Sequence, residues 1–196
     1  MECCNSIKDS RKTDLLNEAK TAGESNYRIW RRAAEWTKGI LSTTVDMPVE
    51  EYKRLEGKDS EQQIQNIAIL NLKKAPGGSV AQWEAVEAYA QADIELIAKE
   101  IEIIDPAIVL FGGTFCFFQR AYTEAVYEMN GELHDCYGML AGKERLLIDY
   151  WHPANYYPAI TSYYGIAGIY QAALKAKEKR AVDQPYEIAA MLFVYK

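Results

Sequence analysis

The chain has 196 residues, of which 26% are charged and 49% hydrophobic, and its formal net charge is −6. This length suffices for one domain with a well-buried core, and no apolar run is long enough to span a bilayer. The acidic balance argues against a protein that holds nucleic acid mainly by bulk electrostatics, although it leaves room for a local basic groove. The polar stretch Met1–Asp14 shows no secretory signal, so we expect a cytoplasmic protein with reduced thiols.

The cysteines do not indicate a metal site. They lack paired Cys-x-x-Cys spacing and clustered histidines, and they are Cys3, Cys4, Cys116 and Cys136. Such spacing matters because several ligands must converge on one ion. We therefore expect neither a bound metal nor a cofactor.

The first half of the chain predicts a helix followed by a buried strand. Residues 1–25 form a polar N-terminal segment, and residues 26–196 are predicted to form a single α/β domain. Apolar residues recur at helical spacing from Asn26 to Leu41, and a loop with a short helix is expected over Asp46–Gln65. The near-continuous apolar run Asn66–Leu72 is typical of a strand buried on both faces.

The middle of the chain predicts a long helix and a second strand. After the turn-rich residues 75–79, an apolar stripe indicates one helix from about Ser79 to Ile104. Asp105 ends this helix, because a residue before proline avoids the helical conformation. A second buried strand is expected over Ala107–Phe111, with Gly112 and Gly113 at its carboxyl end.

The last third predicts one more alternation of helix and strand. The expected elements are a helix over about Phe115–Met129, an irregular segment over Leu133–Lys143, a strand over Arg145–Tyr150 and a helix over about Tyr163–Ala181. The apolar tail Tyr186–Lys196 is a candidate fourth strand, paired either with its own sheet or with a neighbouring copy in a homodimer.

This alternation predicts a three-layer α/β/α fold with a short, mainly parallel sheet. Ligands of such sheets bind beyond the carboxyl ends of the strands. Asn71, Gly112, Gly113 and His152 all fall there. The sequence therefore predicts a ligand site at this edge before any family is considered.

Two of these residues have side chains suited to reading a small polar ligand. The Asn71 amide offers an acceptor and two donors, enough for the edge of a pyrimidine, but it would equally suit a bond to the strand–loop backbone. His152 precedes a proline that fixes the chain direction, and a neutral imidazole can donate to an oxygen that gains negative charge. A bond to a loop carbonyl is the alternative for His152. We assign His134 no role.

These motifs together resemble the uracil-DNA glycosylase superfamily. The likeness covers residues 66–173 and rests on Ile-Ala-Ile-Leu-Asn71 with its basic, proline-containing loop, on Ala-Ile-Val-Leu-Phe-Gly-Gly, and on Trp-His152-Pro-Ala. The resemblance implies that Asn71 recognises a flipped uracil and that His152 stabilises the departing uracil anion on its O2 side. It also implies contacts to DNA from the residues Lys73, Lys74, Pro153, Ala154 and Asn155. Apart from the resemblance, the pair Gly112 and Gly113 would let the backbone approach a ligand closely.

Two features depart from this family. Nothing before Asn26 resembles its first strand, a central one, whose end supplies an aromatic floor and in many members a water-activating residue. The cysteines that bind an iron–sulfur cluster in some branches have no counterparts. An unfilled central position would leave backbone groups unpaired, and the tail from Ile188 to Tyr195 is a candidate to fill it.

Three functional hypotheses follow. The first is a glycosylase that hydrolyses the N-glycosidic bond of uracil or a related damaged base in DNA. The second is an inactive glycosylase-like module that binds a base, a nucleotide or single-stranded DNA. The third is an α/β protein in which the Gly-Gly and His-Pro pairs are only structural.

Overall fold

The computed structural model describes residues 24–74, 82–122, 126–127, 137–179 and 191–195. These residues form a mixed α/β protein, which confirms the predicted class. The helices are α1 (Glu24–Ser42), α2 (Gly57–Ile64), α3 (Trp83–Ala92), α4 (Ile94–Ile104), α5 (Phe115–Ala121) and α6 (Ala159–Lys179). The strands are β1 (Ile67–Asn71), β2 (Ile108–Gly112), β3 (Val126–Tyr127), β4 (Tyr137–Leu140), β5 (Lys143–Tyr150) and β6 (Met191–Tyr195). None of these helices has both the length and the apolar composition that a bilayer crossing requires.

The strands form one sheet in the order β1-β6-β2-β5-β4-β3. Its centre is parallel, because β2 pairs in parallel with β5 on one side and with β6 on the other. Its far end is antiparallel, with β4 beside β5 and β3 beside β4. The parallel centre agrees with the sequence prediction. The antiparallel end was not predicted, and the three-layer arrangement stays a prediction.

The C-terminal tail provides an interior strand of this sheet. β6 lies between β1 and β2, and its register pairs Met191 with Ile108 and Val194 with Phe111. Met191, Leu192 and Val194 are all buried. The tail is thus paired within its own chain, while residues 186–190 and 196 of the predicted strand lie outside the described residues.

The first predicted strand is less buried than expected. Only Ile67 and Leu70 of β1 are buried, and Asn71 is exposed. The reason is the position of β1 at the edge of the sheet, where an apolar run covers less surface than it does in the middle. β2, which has a strand on each side, is buried along its whole length.

The long helix predicted from Ser79 to Ile104 is wrong as a single element. Asp93, with φ −103° and ψ 8°, interrupts it between α3 and α4. The Asp93 N–H still donates to Tyr89 O at 2.9 Å, and Asp93 O accepts from Ile97 N at 2.9 Å. Because helical hydrogen bonding reaches Asp93 from both sides, the apolar spacing continues across the break and conceals it. The predicted start at Ser79 lies outside the described residues.

The segment after β2 also differs from the prediction. α5 ends at Ala121 instead of continuing to Met129, and Val126–Tyr127 is a strand. The segment predicted as irregular contains β4, which forms a hairpin with β5. Its turn, Ala141-Gly142, has positive φ at both residues, 51° and 71°, as a type I′ turn requires. Alanine is an unusual residue there, so the common Asn-Gly signal is missing.

The described residues pack as two compact units. The first comprises the chain up to Ile67 together with Pro153–Gln171, and Trp36 and Tyr163 are buried within it. A Cβ on Gly39 would lie 2.9 Å from the Tyr163 ring, so glycine is needed for this close approach. The second unit comprises Ala68–His152 and the chain from Ala172. Its core joins the sheet to helices and includes Leu70, Val86, Ile97, Val109, Phe111, Phe118, Leu147 and Leu192.

Candidate functional site

The carboxyl ends of β2 and β5 bring Gly113 beside His152, within the second unit. Gly112 pairs with Tyr150 across the two strands, and the Gly113 N–H donates to Tyr150 O at 2.7 Å. Gly113 has φ +68°, a left-handed conformation that favours glycine. A Cβ at this position would lie 3.7 Å from the His152 backbone nitrogen. Three predicted site residues, Gly112, Gly113 and His152, are therefore neighbours.

Thr114 fixes the other side of this turn. Its buried hydroxyl donates to Val194 O at 3.1 Å, near the end of β6. The Gly112–Thr114 turn is thus bonded to β5 through Gly113 and to β6 through Thr114. Sequence analysis did not select Thr114; the available signal was a small hydroxyl residue directly after a strand-ending glycine pair.

Asn71 lies at the exposed end of β1. Its neighbours Leu70 and Leu72 are buried, and within the described residues the Asn71 amide makes no hydrogen bond. Its amide therefore makes no bond to the described strand–loop backbone. β6 separates β1 from β2, so the two strands lie about 10 Å apart at the usual spacing. A ligand that contacts both Asn71 and Gly113 has to span the width of β6.

The two lysines after Asn71 have different environments. Lys74 Nζ forms an ion pair with Glu100. Lys73 Nζ lies 5.0 Å from the centre of the Tyr89 ring, a cation–π contact that leaves its charge uncompensated by any acid in the described residues. Of the two predicted contacts, Lys73 is therefore the better placed to attract an anionic ligand.

The predicted residues Pro153, Ala154 and Asn155 lie in the first unit, in a loop that we call the post-histidine loop (Pro153–Tyr157). Arg32 of α1 donates to Pro153 O at 3.3 Å, to Asn155 O at 2.8 Å, to Asn155 Oδ1 at 2.7 Å and also to Tyr157 O. Arg28 donates to Ala154 O at 3.1 Å. Several oxygen atoms of the loop thus bond to α1, and the Asn155 side chain is part of the loop's own structure.

The apex of the post-histidine loop is an exposed aromatic residue. Tyr156 is 98% exposed and Tyr157 is 51% exposed. The Tyr157 N–H donates to Asn155 Oδ1 at 3.0 Å, so the backbone on either side of Tyr156 is fixed. A held backbone with a free ring is an arrangement that suits stacking on an unpaired base.

Two carboxyl groups, one on β5 and one on α1, have a pKa above the ordinary value. Burial raises the pKa of Asp149, which lies opposite Phe111 in the β2–β5 register although its side chain reaches solvent. Burial also raises the pKa of Glu35, whose Oε1 accepts from Leu55 N at 3.2 Å and from the Tyr52 hydroxyl at 3.3 Å. Sequence analysis selected neither; the available signal for Asp149 was one acid within an apolar strand.

The described residues contain no group of three or more His, Cys, Asp or Glu side chains that could hold a metal ion. Cys116, the cysteine among them, is exposed and has a free thiol. His134, Cys3, Cys4 and Cys136 lie outside the described residues.

Comparison with known proteins adds no relative. No family model matches the chain, and neither a curated protein nor a solved structure matches it.

Proposed function

We propose that this protein is a uracil-DNA glycosylase-like enzyme, which binds uracil or a related damaged base of DNA and hydrolyses its N-glycosidic bond. The observation that carries the proposal is the contact between Gly113 and His152. A Cβ on Gly113 would lie 3.7 Å from the His152 backbone nitrogen and 4.0 Å from its Cβ, so glycine keeps the approach to this residue open. The finer fold, a glycosylase-like arrangement of the sheet, belongs to the same proposal.

The chemistry assigned to these residues is base recognition followed by anion stabilisation. Asn71 offers both a donor and an acceptor to the edge of the base. Water adds to the sugar carbon as the bond from that carbon to the base nitrogen breaks. The base departs as an anion, and the proton that water loses passes to solvent. A neutral His152 imidazole donates a hydrogen bond to the base oxygen that gains this charge. Lys73, Pro153 and Ala154 support the nucleotide or its phosphates.

A base inside a duplex is inaccessible, so such an enzyme needs an unpaired or extruded nucleotide. The exposed ring of Tyr156 supports this part of the proposal, because stacking on an aromatic side chain compensates a base for lost neighbours. The net charge of −6 argues against a long electrostatic groove, so the proposed contact is limited to a few nucleotides.

A second candidate is an inactive module that binds a base, a nucleotide or single-stranded DNA. One observation favours it. The interior strand beside β2 is β6, whose sequence Met-Leu-Phe-Val-Tyr contains neither an acid nor an amide to activate water. In such a binding module, Asn71 and His152 bind the base without hydrolysing its glycosidic bond.

The deciding experiment uses a labelled single-stranded oligonucleotide with one uracil. Release of free uracil and cleavage of the abasic product by alkali measure turnover, and binding is measured on the same oligonucleotide. We expect wild-type protein to release uracil and Asn71→Ala and His152→Ala to lose most of this activity. Asn66→Ala is the matched control, because Asn66 is also exposed and lies just before the same strand.

Each outcome selects one candidate. Uracil release that depends on Asn71 supports the enzyme. Saturable binding that depends on Asn71, without release over a long incubation, rejects the enzyme and supports the binding module. The absence of both rejects the two candidates and leaves a structural role for these residues.

A further inference from the structure

Arg32 is buried, although it belongs to a cluster of three basic residues on α1. Only 6% of its surface is exposed, whereas a residue that binds DNA phosphate must reach solvent. Its guanidinium bonds to the post-histidine loop instead. Both Nη atoms take part, with Nη1 serving Pro153 and Asn155 and Nη2 serving Tyr157.

We propose that Arg32 is a positioning residue, which sets the conformation of the post-histidine loop and thereby presents its ligand contacts. This inference rests on the proposed function for its effect on the ligand, but its effect on the loop stands independently. Through Arg32, α1 thus positions the loop. This helix lies outside residues 66–173, the segment that carries the family resemblance. Arg28, through Ala154 O, assists it.

The chemistry of the site explains why arginine occupies this position. The acceptors are three backbone carbonyls and one side-chain amide oxygen, spread over residues 153–157. A planar guanidinium holds its two NH2 groups in a fixed arrangement, so Nη1 can share its two hydrogens among the acceptors of Pro153 and Asn155 while Nη2 donates to Tyr157 O. A lysine has three donors on one nitrogen atom and cannot reach acceptors on two sides. The loop therefore depends on the shape of the side chain as well as on its charge.

The loop and His152 are consecutive in the chain, and Pro153 is buried. The backbone that leaves His152 therefore enters the Arg32-bonded loop immediately. The same bonds fix the residues on both sides of Tyr156, because Asn155 O and Tyr157 O are both acceptors. Loss of the guanidinium removes hydrogen bonds from Pro153, Asn155 and Tyr157 at the same time.

The test compares Arg32→Lys, Arg32→Ala and the control Arg54→Lys in the full chain. Arg54 is an exposed arginine of the same unit that pairs with Glu56. The first readout is chymotrypsin cleavage between Tyr156 and Tyr157 under native conditions, followed by mass spectrometry; the Tyr157–Pro158 bond is not a chymotrypsin site. We expect faster cleavage in both Arg32 variants and an unchanged rate in Arg54→Lys.

The second readout is turnover and binding of the uracil oligonucleotide. In Arg32→Lys we expect kcat to fall on the order of 100-fold, as for a misplaced reacting group, with a smaller change in KM. Millimolar guanidinium is expected to restore part of the loss in Arg32→Ala, which a general loss of stability would not allow. A thermal melt of Arg32→Lys near that of wild type shows that the fold persists.

Wild-type cleavage rates in Arg32→Lys would overturn the proposal, because the loop would then be fixed without the guanidinium. Faster cleavage with unchanged turnover would also overturn it, since the loop conformation would not matter to the ligand. Where wild-type protein neither binds nor cleaves the oligonucleotide, the proposed function fails. The protease readout then still decides whether Arg32 sets the loop.

Discussion

Arg145 donates a hydrogen bond to the Asp105 carboxylate at 2.9 Å, from a guanidinium that is almost completely buried. Arg145 also bonds to Leu140 O at 3.0 Å and to Pro106 O. Asp105 in turn pairs with Lys143 at 3.0 Å. These bonds join the β4–β5 hairpin to the connection between α4 and β2.

Replacing Asp105 by asparagine should destabilise the protein in a pH-dependent manner. Hydrogen bonds from Lys143 and Arg145 hold the pKa of Asp105 below its ordinary value. A carboxyl group with a lowered folded pKa stabilises the protein at pH values above its unfolded pKa of ~3.9. This contribution is lost as pH falls through the folded pKa. We expect Asp105→Asn to lower the free energy of unfolding by about 1 kcal/mol at neutral pH, since the carboxylate is half exposed.

Urea unfolding at neutral and at acidic pH measures this difference, which should shrink in acid. Asp105 has φ +46°, a conformation that asparagine tolerates and alanine does not. Asp105→Ala should therefore cost about 1 kcal/mol more than Asp105→Asn at every pH. A wild-type advantage over Asp105→Asn that does not change with pH would contradict the ion-pair explanation.

Gly113→Ala should lower ligand binding more than its loss of stability explains. The left-handed φ of +68° makes alanine cost about 1–2 kcal/mol, and the new methyl group would face His152. Gly142→Ala is a matched control, with φ +71° and open space around its Cβ. Thermal melts and oligonucleotide binding on both variants separate backbone strain from the approach to His152. Equal binding in the two variants would remove Gly113 from the site.

Asp149→Asn should stabilise the protein at neutral pH. Burial raises the pKa of Asp149, so its folded form resists ionisation. The stability linked to this group is fully present below the unfolded pKa and is lost as pH rises through the folded pKa. Because asparagine does not ionise, Asp149→Asn avoids that loss. It should raise the free energy of unfolding by about 0.5 kcal/mol, a value that is reduced for solvent screening. Denaturation curves should coincide in acid and separate as pH rises to neutral; the reverse order would show a favourable partner for the carboxylate.

Shortening the chain after Pro185 should lower the melting temperature sharply, because it removes β6 from the interior of the sheet. A point variant tests the same strand more mildly. Leu192 is fully buried, and Leu192→Ala should cost about 2–5 kcal/mol. Leu96→Ala, at a position 52% exposed, should change the free energy of unfolding by less than about 0.5 kcal/mol. An unchanged melt of the shortened chain would exclude the pairing of β6 with β2.

Sequence analysis located the parallel strands because each is a short apolar run between polar residues. It also selected Gly113 and His152, whose proximity follows from the parallel register of β2 and β5. It missed the hairpin, because Ala141 has a positive φ and alanine is not a residue that indicates such a turn. It missed the partner of the post-histidine loop, because Arg32 and Asn155 are separated by more than a hundred residues and no local pattern connects them.

Because β6 follows β2 by many residues in the sequence, the two strands can pair only late in synthesis. Ile108 of β2 pairs with Met191, which the ribosome adds 83 residues later (191 − 108). At typical synthesis rates this interval is roughly 4–17 s. Throughout it, one side of β2 has no neighbour and presents open backbone groups to other nascent chains. The interval before Met191 is added is therefore when β2 is most exposed to aggregation, and when a chaperone would have most effect.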